Sequence, residues 1–279
     1  IIRVIWSIIG EKMRKLLLVV LLACTSLVLT ACSPDEGDKP LKVAINTGPD
    51  QQIWDEVVKL AKEKQGLDIK VITFNDYVLP NEALRNNDVD VNAFQTVPYY
   101  EAQSKERGYQ FEIIGKTFIF PIAAYSNKIK TIEALPDGAT VAISNEATTL
   151  GRSLLLLQAQ GLIKLKDGVG YLPTTLDIIE NPKKLKFAEI DTPQLTRTLS
   201  DPNIYLSIIN NNFSSQVGLL AKRDGLFMEN TDSPYVNLIV ARAIDKDNER
   251  LKKLVAVFQS DEILQKAQEV YKGDAVKAW

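Results

Sequence analysis

Residues 139–160 have the sequence ATVAISNEATTLGRSLLLLQAQ, which predicts a strand, a polar turn and a helix in direct succession. The first five residues alternate between apolar and small or polar side chains, as in a half-buried strand. A turn at 144–146 follows, and Thr148 or Thr149 is expected to cap a helix that carries the apolar run 154–157. Because strand and helix alternate in α/β proteins, this stretch predicts an α/β fold.

Arg152 is placed by this pattern in the first turn of the predicted helix. A helix N-terminus favours anions through its free N–H groups, and a guanidinium can hold a carboxylate through two parallel hydrogen bonds. Together the two features predict a site for a carboxylate ligand. The alternative is that Arg152 pairs with an acidic side chain on the surface, where ion pairs are common and contribute little.

The start of the chain predicts export. From Met13 it runs through Arg14 and Lys15 into an apolar stretch that ends at Leu-Thr-Ala-Cys32. A charged start, a short apolar core and small residues before a cysteine are typical of a lipoprotein signal peptide, whereas a membrane-spanning anchor would need about 20 apolar residues. We therefore expect 1–31 to be an upstream extension and signal peptide, Cys32 to be the lipidated residue, and 32–40 to be a flexible tether.

Composition narrows the classes of function. Cleavage before Cys32 would leave 248 of the 279 residues, with 29 basic and 34 acidic side chains, and no second cysteine for a disulfide. That length is enough for two compact lobes, and the charge balance argues against nucleic-acid binding. The sequence contains no histidine, which weakens the case for zinc, for most catalytic transition-metal sites and for acyl-transfer triads.

The first half of the exported chain predicts a ligand wall. Residues 41–74 predict a β-α-β unit, and 88–94 predict a further strand. In open α/β sheets the carboxyl ends of the strands face the ligand crevice. Four aromatic residues fall at or just beyond such ends, which favours a ligand wall over ordinary packing. These are Phe74, Tyr77, Phe94 and Tyr99.

The second half predicts a further β-α-β lobe across 127–232. Its expected strands are 185–190 and 204–209 with helices between them, and helices at 245–259 and 261–271 close the chain. Three asparagines that begin at Asn210 follow the strand at 204–209. Asn237 interrupts an apolar strand, and a buried amide there costs about 1–3 kcal/mol unless a ligand or a structural hydrogen bond satisfies it.

Several longer motifs carry a resemblance to a known family. Besides the cysteine motif, they are TFNDYVLPN at 73–81, NAFQ at 92–95, LGRSLLLL at 150–157, GLIKLKDG at 161–168 and SPYVNLIV at 233–240. With these motifs the chain resembles the methionine-binding lipoproteins of the NlpA family, which are substrate-binding components of ABC importers. The resemblance runs from about 41 to 279.

This resemblance implies an α/β fold of the type II periplasmic-binding-protein class, with two lobes that close on one amino acid. The implied lobes are 41–120 plus 237–279 and 127–232, joined by two crossover segments near 120–126 and 233–240. The resemblance also assigns ligand contacts. Arg152 matches the arginine for the ligand carboxylate, and Asn210 and Asn237 match two ligand-binding asparagines.

The aromatic pocket for the thioether side chain matches Tyr77, Phe94 and Tyr99. Thr96 stands where many members of the family have a histidine, so the predicted pocket wall contains no imidazole. We therefore expect the affinity to change little between about pH 5.5 and about pH 7.5, where a histidine would titrate.

The resemblance implies a lipid-anchored protein of the cell envelope that faces the periplasm or the cell exterior. It would capture L-methionine and deliver it to the permease and ATPase of an ABC importer. We expect no enzymatic activity, no catalytic residues, no metal and no cofactor.

Two alternatives stay open from the sequence. The first is a binding protein for another amino acid, a methionyl peptide or iron, although iron would find only carboxylates, tyrosines and amides as ligands. The second is an exported hydrolase that uses Asp88 and Asp90 as paired carboxylates, both of which we expect to point to solvent.

Overall fold

The structure is a computed structural model that describes residues 39–279. The predicted signal peptide at 1–31, Cys32 and most of the tether at 32–40 lie outside the described residues. Within 39–279, no helix is both long enough and apolar enough to cross a membrane.

The described chain opens with the predicted β-α-β unit. It consists of β1 (Leu41–Asn46), α1 (Asp50–Gln65) and β2 (Ile69–Phe74), and the two strands pair in parallel. The buried face of α1 carries apolar residues at helical spacing, which anchors the helix to the sheet. These residues are Ile53, Trp54, Val57, Leu60 and Ala61.

The next elements are α2 (Leu79–Arg85), β3 (Val91–Asn92), α3 (Val97–Arg107) and β4 (Phe111–Ile119). The prediction of a strand across 88–94 is wrong in length, because β3 pairs over only two residues. After β3 the chain stays beside a later strand, where the backbone N–H of Leu238 donates to the carbonyl of Gln95 at 3.0 Å and Thr96 forms an isolated bridge with Asn237.

The remaining helices and strands follow in order. They are β5 (Ala123–Tyr125), β6 (Thr140–Ser144), α4 (Ala147–Ala159), β7 (Lys164–Leu165), β8 (Ile178–Glu180), β9 (Lys186–Ile190), β10 (Ile204–Ile209), α5 (Asn211–Ser214), α6 (Ala221–Asp224), β11 (Phe227–Met228), β12 (Val236–Arg242), α7 (Glu249–Phe258), α8 (Asp261–Val270) and β13 (Val276–Lys277). Short 3₁₀ segments lie at Ile132–Ala134, Thr175–Asp177, Thr192–Ser200, Ser215–Val217 and Ala243–Asp245.

Two larger sheets organise these elements. The six-stranded sheet has the order β13-β4-β12-β3-β1-β2, and the five-stranded sheet has the order β11-β5-β10-β6-β9. Both sheets mix parallel and antiparallel pairs, since β12 runs antiparallel to β3 and β5 runs antiparallel to β10. Each sheet has its own apolar core, one around Trp54 and Phe118 and the other around Ile143 and Leu154.

The chain passes between the two sheets at 120–122 and again at 229–235. The backbone N–H of Glu229 donates to the carbonyl of Ile122 at 2.9 Å, so the two passages are hydrogen-bonded to each other. The predicted crossovers near 120–126 and 233–240 extend too far, because their later residues belong to β5 and β12.

Two helix predictions need correction. The segment between β9 and β10 is the 3₁₀ segment Thr192–Ser200, with a proline in its first turn, and not an α-helix. The helix predicted at 245–259 begins only at Glu249, because the side chain of Asn248 accepts a hydrogen bond from the backbone of Arg250 at 2.9 Å and caps the helix there.

Candidate functional site

One cavity brings together seven of the residues that the sequence singled out for ligand binding. It contains about 640 Å³ of empty space, part of which is open solvent at its mouth. The predicted residues that line it are Tyr77, Phe94, Thr96, Tyr99, Arg152, Asn210 and Asn237. They come from both sheets, so the cavity is built by the two halves of the chain together.

Three aromatic rings form one wall of the cavity. The ring centroids of Tyr77 and Phe94 lie 6.2 Å apart, and the ring of Tyr99 lies 6.0 Å from Tyr77 and 5.9 Å from Phe94. The hydroxyl of Tyr99 donates to the carbonyl of Tyr77 at 2.6 Å, which locks the two rings together. Phe74, which the sequence also placed in this wall, packs instead beside Leu84 from the edge strand β2.

Buried amides hold the loop that carries Phe94 and Thr96. The Nδ2 atom of Asn92 donates to Oδ1 of Asn81 at 2.8 Å, and Nε2 of Gln95 donates to the same oxygen at 3.0 Å. Thr96 then forms an isolated antiparallel bridge with Asn237. This network fixes the aromatic wall against the strand that carries Asn237.

The asparagines after β10 present polar atoms to the cavity. Tyr77 donates from its hydroxyl to Oδ1 of Asn212 at 3.1 Å and accepts from Nδ2 of Asn210 at 3.3 Å. Within the described chain, Oδ1 of Asn210, Nδ2 of Asn211 and Nδ2 of Asn212 are buried and have no hydrogen-bond partner. Buried polar atoms are nearly always satisfied, so these three atoms are suited to a polar ligand. Asn211 and Asn212 were not chosen from the sequence, although they directly follow Asn210.

The helix that carries Arg152 is capped differently from the prediction. Glu146 is the N-cap, and its carboxylate accepts from the backbone of Thr148 at 2.9 Å and of Thr149 at 2.8 Å. The capping role expected for Thr148 or Thr149 is therefore wrong. Arg152 is the sixth residue of α4, so it lies in the second turn and not in the first. The N–H groups of Thr148 and Thr149 are engaged by Glu146 and are not free for a ligand.

Arg152 is 6% exposed and is held from three sides. Its Nε donates to Oε1 of Glu229 at 3.0 Å, and its Nη2 donates both to Oε2 of Glu229 and to the carbonyl of Phe120, the latter at 3.0 Å. The guanidinium carbon lies 4.2 Å from the ring centroid of Tyr235. Arg152 thus has an acidic partner, as the alternative from the sequence held, but the pair is buried at the cavity and not on the surface.

Asp50 is a cavity residue that sequence reasoning missed. It is the first residue of α1, and Oη of Tyr271 donates to its Oδ1 at 2.7 Å. Burial raises the pKa of the Asp50 carboxyl to about 6, and the hydrogen bond from Tyr271 opposes this rise only in part. The available signal was its position just beyond the carboxyl end of β1, where ligand-facing residues are expected.

The remaining candidate groups lie elsewhere. Asp88 is exposed, and Asp90 accepts from the backbone of Lys42 at 2.8 Å, so both precede β3 at the end of the strand opposite the cavity. Among residues 39–279, no three acidic or thiol side chains lie close enough together to hold a metal ion.

Comparison with known proteins gives consistent matches over nearly the whole described chain. A sequence model of the NlpA lipoprotein family matches residues 41–279. The chain is 55% identical over 255 residues to the D-methionine-binding lipoprotein MetQ of Salmonella typhimurium, which covers 91% of this chain and 94% of that protein.

Solved structures agree with these matches. A nutrient binding protein from Burkholderia cenocepacia bound to methionine is 47% identical with a TM-score of 0.83, over 86% of this chain and 100% of that chain. A periplasmic substrate-binding protein of an ABC transporter from Coxiella burnetii is 40% identical with a TM-score of 0.82, over 85% of this chain and 100% of that chain. The predicted α/β fold of the periplasmic-binding-protein class is thereby confirmed.

Proposed function

Because this chain belongs to the NlpA lipoprotein family, we propose that it is a lipid-anchored substrate-binding protein that captures L-methionine and delivers it to an ABC importer. One observation carries the proposal. The cavity gathers an arginine, asparagines and aromatic rings from distant parts of the sequence, and these are the groups that an amino acid with an apolar side chain requires.

Arg152 is the proposed partner of the ligand carboxylate. Glu229 and Phe120 engage Nε and Nη2 of the guanidinium, whereas Nη1 makes no hydrogen bond to any described residue. The ligand carboxylate would therefore approach Nη1. Because Glu229 already holds the other edge, the ligand completes an existing ion pair instead of forming a new bidentate one.

The polar end of the ligand would be oriented by the asparagines. Oδ1 of Asn210 offers an acceptor, and Nδ2 of Asn211 and of Asn212 offer donors, all without partners among the described residues. Asn237 lies on the other sheet and donates from Nδ2 to the carbonyl of Phe118 at 3.3 Å, so its Oδ1 can face the cavity.

The thioether of methionine would lie against Tyr77, Phe94 and Tyr99. Sulfur near an aromatic ring edge is favourable by about 0.3–1.5 kcal/mol, and edge-to-face packing of Tyr99 against both neighbours exposes such edges. Thr96 contributes a small polar side chain to the same wall.

We propose that 41–120 plus 237–279 and 127–232 act as two lobes that close on the ligand by bending at the passages 120–122 and 229–235. Tyr77 lies on the side of the six-stranded sheet and Arg152 on the side of the five-stranded sheet, and both line the cavity here, so the two sides would have to separate for a ligand to enter. Small-angle scattering should give a smaller radius of gyration with saturating methionine than without it. An unchanged radius would indicate a rigid site.

Membrane attachment and transport complete the proposal. Cys32 would carry the lipid and hold the protein at a membrane, facing the periplasm or the cell exterior, where the permease and ATPase of the importer receive the ligand. A binding role and not an enzymatic one is favoured because, among the described residues that line the cavity, Asp50 is the only carboxylate, whereas hydrolysis by paired carboxylates needs two.

Calorimetry on the ligand-free protein tests the function. We expect one saturable site for L-methionine, and D-methionine should be measured beside it because the Salmonella relative is named for that enantiomer. Norleucine, which replaces the sulfur by a methylene group, should bind more weakly by about 0.3–1.5 kcal/mol. Absence of methionine binding, with clear binding of an unrelated amino acid, would contradict the proposal.

A further inference from the structure

Asp50 is a carboxylate in the cavity wall that has no cationic partner among the described residues. Among the described residues, the one hydrogen bond to its carboxylate is donated by the hydroxyl of Tyr271 to Oδ1, so Oδ2 remains available. Asp50 is partly buried, and a carboxylate removed from water in this way without a cationic partner is unfavourable. Its raised pKa, about 6, reflects that cost.

The charges around the cavity point to what would compensate it. Within the described lining, the charged side chains are Asp50 and Arg152, and the charge of Arg152 is already balanced by Glu229. Glu146 lies behind the wall and is committed to the cap of α4. The wall therefore keeps an unbalanced negative charge at Asp50, which favours a cationic group on the ligand.

We propose that Asp50 binds the α-ammonium group of the ligand and thereby selects amino acids over their 2-hydroxy acid analogues. This inference rests on the proposed function and adds the residue that recognises the ammonium group of the ligand. Asp50 belongs to the six-stranded sheet side and Arg152 to the five-stranded side, so the two ends of a zwitterion are held by opposite halves of the protein.

Tyr271 gives this arrangement its support. The ring of Tyr271 packs against the ring of Phe120, with 4.5 Å between the centroids, and its hydroxyl donates to Oδ1 of Asp50. The carbonyl of Phe120 accepts a hydrogen bond from Nη2 of Arg152. Asp50 and Arg152 are thus connected through Tyr271 and Phe120, and Phe120 belongs to the first passage between the sheets.

The test compares L-methionine with its 2-hydroxy analogue, in which a hydroxyl replaces the ammonium group at nearly equal size. Calorimetry is carried out on the parent protein, on Asp50→Asn, and on Asp55→Asn as a matched control from an exposed position of α1. Asp50→Asn should bind L-methionine about 10 to 100 times more weakly and the hydroxy analogue within about threefold of the parent. Asp55→Asn should bind both as the parent does.

A pH series provides a second readout that a merely structural role would not change. The parent should bind L-methionine about tenfold more weakly at about pH 5 than at about pH 7.5, because the carboxyl is protonated below its pKa of about 6, and Asp50→Asn should lose this dependence. The other groups that face Asp50 or the cavity are Tyr271, Tyr77, Tyr99, Tyr235 and Arg152, with Glu229 and Glu146 behind them. All are retained in both proteins, and burial raises the pKa of each of these tyrosines.

The outcomes are separable. If the parent binds no methionine, the proposed function fails. If the parent binds methionine but Asp50→Asn weakens both ligands equally or neither, Asp50 only positions Tyr271 and the inference is wrong. Circular dichroism melting of each variant verifies that the proteins compared are folded.

Discussion

Replacing Arg152 by alanine removes the positive charge of the cavity and also strips Glu229 of its partner. The side chain of Arg152 is 6% exposed and that of Glu229 is 13% exposed, so the pair is buried. Breaking a buried pair from one side costs about 3–5 kcal/mol of folding stability, and we expect about 3 kcal/mol here because the side chain of Glu229 is still partly exposed. Ligand affinity should fall by about 2–5 kcal/mol, or about thirtyfold and more.

A double variant separates these two effects. Arg152→Met with Glu229→Gln removes both charges at similar volume, which usually restores stability because neither partner is left unpaired. We expect its free energy of unfolding to return to within about 1 kcal/mol of the parent, while methionine binding stays lost. Urea denaturation measures the first quantity and calorimetry the second. If Arg152→Ala binds methionine as tightly as the parent, or the double variant regains binding, the assignment of the ligand carboxylate to Arg152 is wrong.

Three further variants test the roles of Asn237, Asp50 and Cys32. Asn237→Ala removes a neutral amide and should weaken methionine binding by about 1–3 kcal/mol, less than Arg152→Ala; a calorimetric loss as large as that of Arg152→Ala would contradict the proposed division of roles. Asp50→Asn should raise the free energy of unfolding of the ligand-free protein by about 1–3 kcal/mol at about pH 7.5. The reason is that the folded-state pKa of Asp50 lies near 6, above the ordinary value of 3.8, so the ionised carboxylate opposes folding. This gain should fade as the pH drops through 6 toward 4, which thermal melts at several pH values would show. Cys32→Ser should release the protein from the membrane fraction, since stable anchoring requires acyl chains at this residue, and retention after a high-salt wash would oppose the assignment.

The strand, turn and helix around Arg152 could be predicted because they depend on local patterns. The alternation of apolar with small or polar residues predicts β6, and an apolar run predicts the helix α4 with its apolar side buried in the core. The cap was assigned to the wrong residue because Glu146, Thr148 and Thr149 all have side chains able to cap, and only the backbone geometry selects Glu146. The length of β3 was missed since its neighbour β12 lies far along the chain.

The partners of the site residues could not be predicted for the same reason. Glu229 is separated from Arg152 by 77 residues, and Tyr271 from Asp50 by 221 residues. No local pattern marks such pairs. The expectation that affinity would be nearly independent of pH depended on Thr96 alone, and it overlooked Asp50, whose pKa of about 6 places a titratable group in the cavity.

A crystal structure of the protein grown with L-methionine would show the binding mode itself. We expect one ligand in the cavity, with its carboxylate on Nη1 of Arg152, its ammonium group within hydrogen-bond distance of Asp50, and its sulfur against the rings of Tyr77, Phe94 and Tyr99. Methionine bound elsewhere, or bound with its thioether toward Arg152, would contradict this binding mode.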